Sequence, residues 1–390
     1  MDGISLEMGR RMIQIKVKQA EEIEKWYADQ VIPVILRKSK ASIVFRNKLS
    51  YKYLHEAVKR DVLEDIVTKK ADELEAKYDW IKEYLEIVRF VNGYEPFMAM
   101  RKKEYDARKL SDNARTPKYR KDMENYLNLY SGNALIKKYL GDTSKIKSIK
   151  QNKDTRKAFV DKEIGGILSG INEDISLIFN YDYFNEISDD FRATLVKKLD
   201  IKTCPYCNQQ FVFYLGDGRY LGDLDHIKPK SKYPLFSMSL YNLIPACKPC
   251  NQLFKNDNAL EFFNPYKRGF GDDVILHLRY SNVRQMIGLE EVKDLNWCIN
   301  PSATEEERTN LRNEIRLFRL NQVYSGHKSE IQLALQKRFN LYYNYLKFVY
   351  GLIHYGELLD PKLLFGISFD PEKYQDELMS KAISDVVKKN

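Results

Sequence analysis

The 390-residue sequence has little cysteine (5), histidine (5), proline (12) or glycine (18). So few Pro and Gly exclude collagen-like and low-complexity chains, and 44% apolar with 31% charged residues is a globular composition, not a disordered one. No run is apolar for long enough to span a bilayer. The richest late stretch, LYYNYLKFVYGLIHY (341–355), carries Lys347 and several Tyr and predicts a buried amphipathic helix, not a span. The N-terminal MDGISLEMGRRMIQIKVKQ lacks the apolar core of a secretory signal. A soluble cytoplasmic protein without membrane contact is expected, and the length predicts two or three domains.

An excess of acid is also missing. Lys and Arg total 64 against 55 Asp and Glu, a net of +9. Residues 101–160 hold 17 basic and 7 acidic residues, so this one stretch carries the whole excess. Such a block suits a phosphate-facing surface, although a solvated helical face has the same composition.

Residues 1–195 have mainly helical texture. Helix formers run unbroken over 56–91, with apolar positions from Val58 to Val88 at helical spacing, predicting one long helix or two broken near Tyr78. Polar joints at 111–117 and 131–133 divide the basic stretch into short helices. Helical pattern returns over 164–179 and 189–199. From 202 to about 270 the texture changes to strand-like runs, with 210–215 and 219–225 joined at Gly216-Asp217-Gly218 as a hairpin. A second strand pair is expected at 274–280 and 284–289. Thereafter helices return: a capping box at Thr304–Glu307, a long helix over 328–355, and a last one opened by Asp370-Pro371. The expected architecture is α+β, with a central module at 196–270 between helical regions 1–195 and 271–390.

Four of the five cysteines form two C-x-x-C pairs, Cys204/Cys207 and Cys247/Cys250, separated by 39 residues. Two such knuckles supply four thiolates to one tetrahedral Zn²⁺ with no open position, a structural site. A redox-active C-x-x-C would need a thioredoxin-like βαβ context that this segment lacks. Cys298 stands alone and is expected as a small buried apolar residue.

Between and beside the knuckles the chain carries C204-P-Y-C207, L-D225-H226-I-K-P-K-S-K, Y-N242-L-I-P-A-C247 and K-P-C250-N251-Q-L-F-K255. In this order the motifs resemble the HNH endonuclease family, whose ββα-metal finger is often stapled by a four-Cys zinc. The resemblance covers about residues 200–258. It implies His226 as the general base toward the attacking water, and Asp225 and Asn251 as protein ligands of a catalytic cation. It also implies that Asn242, through its amide or the loop that it anchors, orients the imidazole. Many members place His where this chain has Asn251, a variant that is also familiar in the family and changes the metal preference.

The chemistry of these residue types agrees with those roles. An imidazole with an ordinary pKa of ~6.5 accepts a proton at neutral pH. Hard oxygen ligands suit Mg²⁺ or Mn²⁺, a Lewis acid for the phosphate and the leaving oxygen. Lys255, Lys228, Lys230 and Lys232 are candidate phosphate contacts, although alternate lysines also keep an exposed edge soluble. Asp223 shares a strand face with Asp225 and is a candidate third carboxylate, with a solvated hairpin position the favoured reading. Trp297 and the many Tyr are expected in the core, and His55, His277, His327 and His354 as ordinary residues.

The expected function is a metal-dependent endonuclease hydrolysing phosphodiester bonds, most simply in double-stranded DNA, to 5′-phosphate and 3′-hydroxyl ends. The helical regions and the basic stretch would form a cleft over His226. The alternative is a zinc-stabilised nucleic-acid-binding module without catalysis. By analogy with standalone HNH proteins that have large helical arms, a bacterial restriction or anti-phage role with a partner ATPase is a third expectation.

Overall fold

A computed structural model describes residues 13–40, 45, 47–140, 149, 153–215, 219–258, 260–271, 273–340, 362 and 365–389. The chain forms two compact units. One comprises Glu24–Asp189 together with Lys228–Asn242, and the other Met1–Ile23, Asp190–Ile227 and Leu243–Asn390. The segment expected as a central finger is therefore shared between them. The architecture is α+β, with helices dominant and, among the described residues, two small antiparallel sheets. Among the described residues no helix is long and apolar enough to cross a membrane.

In the helical unit, the expected long helix over 56–91 is cut more often than its composition suggests. Helices run over Lys48–Ala57, Arg60–Thr68, Ala71–Lys77 and Asp79–Ala107. The break at Tyr78 is the expected one; those at 58–59 and 69–70 are not, since no Pro or Gly marks them. A tertiary interaction explains the second. Asp65 accepts from the Tyr78 hydroxyl at 2.6 Å and also pairs with Lys77. In a straight helix residues 12 apart would be separated by ~18 Å, so this pairing requires the chain to fold back. Val62, Leu63, Ile66 and Val67 are thereby buried on one short helix, and Ile81, Leu85 and Val88 on another.

The joint predicted at 111–117 is instead the start of a helix, Asp112–Leu129, with Ser111 at the N-cap and Pro117 inside its first turns. Pro117 is the sixth residue of this helix, past the first four whose N–H groups have no intrahelical partner, so it removes the bond to the Asn113 carbonyl, yet the helix continues through it. The joint at 131–133 is real, and a helix resumes at Ala134–Leu140. A six-residue π-helical turn, Phe159–Ile164, leads into Gly165–Ser176.

In the second unit β1 (Asp223–His226) pairs antiparallel with β2 (Leu243–Ala246), setting His226 opposite Leu243 and Asp225 opposite Ile244. Upstream, the expected hairpin survives as cross-strand bonds from Leu215 N–H to Arg219 O and from Leu221 N–H to Phe213 O. Its tip at 216–218 lies outside the described residues.

β3 (Val274–Arg279) pairs with β4 (Asp294–Ile299), not with 284–289 as expected. Asn282 caps a short helical turn, Val283–Met286, by accepting from the Gln285 amide, and this turn replaces the predicted strand. The true partner shows strand alternation: Leu295 and Trp297 are buried, whereas Cys298 beside them faces out. The expectation of a buried Cys298 is thus corrected by its register.

The Thr304–Glu307 capping box is present at the start of Glu305–Leu317. Asp370 caps a 3₁₀ turn, Pro371–Asp376, instead of a full α-helix, and Ser380–Lys389 follows. The long helix predicted over 328–355 is seen as Lys328–Asn340; its continuation, with His354, lies outside the described residues. Of the other ordinary histidines, His55 and His277 are exposed and His327 is half-buried.

Candidate functional site

The cysteines come together first. Cys204, Cys207, Cys247 and Cys250 are all buried, and their sulfurs lie within 4.8 Å of one another. Sγ of Cys207 and Cys247 are 3.8 Å apart. Four sulfurs each ~2.3 Å from a tetrahedral Zn²⁺ stand ~3.8 Å from one another, so the donor set fits that ion in both chemistry and spacing. Burial pushes the Cys204 thiol well above its ordinary range, a penalty that coordination as thiolate offsets.

The first knuckle is shaped by local bonds. Cys204 N–H donates to Gln210 O at 2.8 Å, and Asn208 N–H to Cys204 O at 2.8 Å. Asn208 takes the left-handed conformation (φ 53°) that closes this turn, a geometry Asn tolerates better than most residues. Its buried side chain then spreads across the C-terminal segment. Nδ2 donates to Tyr374 O at 3.1 Å and Glu377 O at 2.9 Å, and Oδ1 accepts from the Ser380 hydroxyl at 3.2 Å. The residue after the second cysteine thereby ties residues far along the chain to the cysteine cluster.

From β1, Asp225 and His226 follow the hairpin directly. Asp225 is 3% exposed and His226 is 8% exposed. The Asp225 carboxylate accepts from the Tyr206 hydroxyl at 2.6 Å and from the Lys255 ammonium at 3.0 Å. Tyr206, inside the C-P-Y-C knuckle, stacks on Phe318 with ring centroids 4.3 Å apart and meets Phe262 edge-on. An aromatic cluster thus fixes the hydroxyl that orients Asp225. Desolvation raises the Asp225 pKa above its ordinary value, against the opposing pull of Lys255.

Lys255 itself is 1% exposed and also donates to the His226 carbonyl. That is the reverse of what a phosphate contact requires. Its ammonium instead joins the strand end at Asp225-His226 to the π-helical segment Pro249–Lys255. The widened π turn is closed by Asn256 N–H donating to Asn251 O at 2.8 Å.

On that same segment Asn251 Nδ2 donates to Asp223 Oδ2 at 3.0 Å, beside Gln252 Nε2 at 2.8 Å. The structure therefore brings Asn251 to Asp223 and Lys255 to Asp225, two rungs between one strand face and one helical turn. Asp223, expected in a solvated position, is half-buried and accepts two amide bonds. Since the amide nitrogen of Asn251 is engaged by Asp223, its carbonyl oxygen is the end left for a hard cation.

Asn242 is 7% exposed. Its Oδ1 accepts from Lys228 N–H at 2.8 Å, and its Nδ2 donates to Lys228 O at 3.1 Å and Phe236 O at 2.9 Å. The amide is spent on the loop that begins two residues after His226, so the anchoring form of its expected role is the one that the geometry allows.

That loop, 228–242, is built into the helical unit: Asn172 Nδ2 donates to Lys232 O, Ser237 Oγ to Phe179 O, and Ser239 Oγ to Ile66 O. Lys230 is exposed and lies over the Tyr181 ring, 3.9 Å from Asp182. Lys228 lies over Tyr233 and is half-buried, and Lys232 is half-buried too.

In the basic stretch part of the charge is neutralised locally. Arg101 pairs with Glu104, Arg115 with Asp106, and Lys157 with Glu95. Lys102, Lys103, Lys118, Arg120 and Lys121 are set on helices around these pairs, and all five are exposed.

Tyr206 and Asn208 are not legible as site residues from sequence, and Asp223 is legible only as a candidate third carboxylate. For Tyr206 the only signal is a hydroxyl-bearing aromatic in the knuckle, two positions after the first Cys. For Asp223 it is the i, i+2 spacing from Asp225 on a strand.

Residues 204–257 match the HNH endonuclease family. Protein ea31 of Escherichia phage lambda is 34% identical over 68 residues, covering 16% of this chain and 20% of that protein. The likeness to ea31 therefore spans about a fifth of its length. No solved structure matches. The cysteine cluster, the strand-and-helix geometry and the family match all fall on one segment: residues 204–257 match the HNH endonuclease family and hold four cysteines grouped as a zinc site would require.

Proposed function

We propose that the protein is a metal-dependent endonuclease that hydrolyses phosphodiester bonds in double-stranded DNA. The observation that carries this reading is the pairing of one face of β1 with the adjoining helical turn, Lys255 with Asp225-His226 and Asn251 with Asp223. A scaffold would need only the four cysteines. It would have no use for a buried charge pair costing several kcal/mol of desolvation behind a histidine.

In this reading His226 takes the proton of the attacking water, its main chain held by Lys255 and the following loop by Asn242. Asp225 and the carbonyl oxygen of Asn251 are the hard ligands for Mg²⁺ or Mn²⁺, with Asp223 holding the Asn251 amide in place. When bound, the cation supplies Lewis-acid stabilisation of the phosphoryl and leaving oxygens. A carboxylate has about four lone-pair sites, so the bonds from Tyr206 and Lys255 leave Asp225 room for a further partner. The exposed lysines of 101–160 supply phosphate affinity without reading bases, and Lys230 is the exposed candidate phosphate contact nearest in sequence to His226.

A reducing cell interior suits the cysteine cluster, since free thiols persist there as metal ligands. Action against foreign or phage DNA, with an ATPase partner, is the biological setting that the resemblance favours. The deciding experiment incubates plasmid with zinc-loaded protein, with and without Mg²⁺, alongside His226→Ala. We expect Mg²⁺-dependent cleavage that falls by at least ~10²-fold in the variant, the usual worth of a positioned general base. Binding without cleavage by the wild type would favour the non-catalytic module.

A further inference from the structure

We propose a second nucleic-acid contact in the same unit as His226: an aromatic groove that stacks an unpaired base and holds its phosphate between two lysines. The inference rests on the nuclease reading for the class of polymer bound, and on separate residues for the site.

The groove is a cavity of about 410 Å³ lined by Lys197, Lys202, Phe211, Phe213 and Tyr214, among others. Val212, between the two phenylalanines, is fully buried. Alternation along an extended chain then turns Phe211 and Phe213 together to the opposite, outer face, where polar residues normally stand. Phe211 is 45% exposed and meets Phe213 edge-to-face, centroids 5.6 Å apart. Across the hairpin Leu221, bonded through its amide to Phe213 O, is 46% exposed. Three large apolar side chains thus reach solvent on one small patch, a feature that marks a binding surface.

Charge identifies the occupant. Lys197 and Lys202 are both exposed, and Lys197 lies 5.6 Å from the Tyr214 ring centroid. The acidic residue of the groove, Asp200, is paired with Lys18. Exposed rings beside exposed ammonium groups are the combination that binds single strands, with base faces on the rings and phosphates on the cations. A duplex keeps its base faces stacked and offers nothing to Phe211. The groove is also connected to the candidate active site: from Leu221 to His226 the chain spans at most ~17 Å at ~3.3 Å per residue. A single strand held on the rings therefore lies close to the strand that carries His226.

The test measures anisotropy of a labelled oligothymidylate and of a matched duplex. The zinc-loaded full chain is compared with Phe211→Ala, Phe211→Ala/Phe213→Ala and Lys197→Ala/Lys202→Ala. Losing base stacking should weaken single-strand binding by about 5- to 150-fold per base, with duplex binding and zinc content unchanged. Phe211→Tyr should restore it. The lysine variant, which leaves the hairpin core intact, should flatten the single-strand salt slope by ~0.7 for each phosphate no longer neutralised. Unchanged single-strand binding in all variants, or equal losses for duplex, overturns the proposal. Plasmid cleavage by the same preparations keeps the two readings apart: cleavage with unaltered single-strand binding sinks only the groove, whereas absence of cleavage and of any binding sinks the nuclease.

Discussion

Replacing Lys255 with Met is the most informative perturbation of the finger. Its ammonium and the Asp225 carboxylate are 3.0 Å apart, with side chains only 1% and 3% exposed. Solvent screening therefore does little to this pair. The methionine stem refills most of the volume, so the change removes charge and hydrogen bonds more than packing. What remains is a buried carboxylate held by neutral donors alone, the Tyr206 hydroxyl and the His226 backbone N–H, and a His226 carbonyl that has lost the ammonium. Breaking a buried pair from one side costs about 3–5 kcal/mol. In a domain of about 150–250 residues this lowers the melting temperature by roughly 6–20 °C.

The double variant Asp225→Leu/Lys255→Met removes both charges, and its loss should fall short of the sum of the singles by at least ~1 kcal/mol. The assay is thermal and urea unfolding of zinc-loaded protein, followed by a probe for the finger's own transition, because a chain of two units need not unfold in one step. If Lys255→Met unfolds within ~0.5 kcal/mol of the wild type, well inside the cost of breaking a buried pair, while nucleic-acid binding drops, the ammonium faces phosphate. The role of Lys255 as a buried strut would then be wrong.

Cys247→Ser should release zinc and destabilise the segment 204–257, because binding the metal is part of its folding free energy; elemental analysis finding no zinc in active wild-type protein would contradict the site. Asp225→Ala and Asn251→Ala should each shift the Mg²⁺ dependence of cleavage to higher concentration while duplex binding is kept, and Asp223→Ala should do so more weakly by loosening the Asn251 amide; coincident titration curves would move the cation elsewhere. Neutralising Lys102, Lys103, Lys118 and Lys121 should weaken binding to any DNA sequence and reduce the log-log salt slope by ~0.9 for each duplex phosphate no longer neutralised; an unchanged slope would leave the stretch as a solvated helical face.

Much of the finger is visible in residue order. Its four-cysteine cluster is encoded largely by local spacing: each knuckle presets a pair of sulfurs, and the one long-range event required is the meeting of the two knuckles, seen in the approach of Cys207 to Cys247. The capping box at Thr304 is equally legible, since both its bonds close within four residues. Helix formers over 56–91 announce the element type but not where it is interrupted. The fold-back there depends on Asp65 meeting Tyr78, which no local rule anticipates. The strand partner of β3 is misplaced for a related reason: Asn282 offers the backbone a capped turn where the Ser281-Asn282 signal predicts a hairpin.

Residue order alone marks which side chains could do chemistry: the four thiols, the Asp-His pair and the two asparagines, each set within a short motif. Tertiary structure alone decided which of them meet. Asp225 met Lys255 and Tyr206, and Asn251 met Asp223, because the register of β1 against β2 and the wide turn after Cys250 fix those distances. It also turned Lys255 from an expected phosphate contact into a buried strut. A side chain's type is written at its position, but its burial is set by every element that packs against it. Lysine's long apolar stem lets it serve in either place.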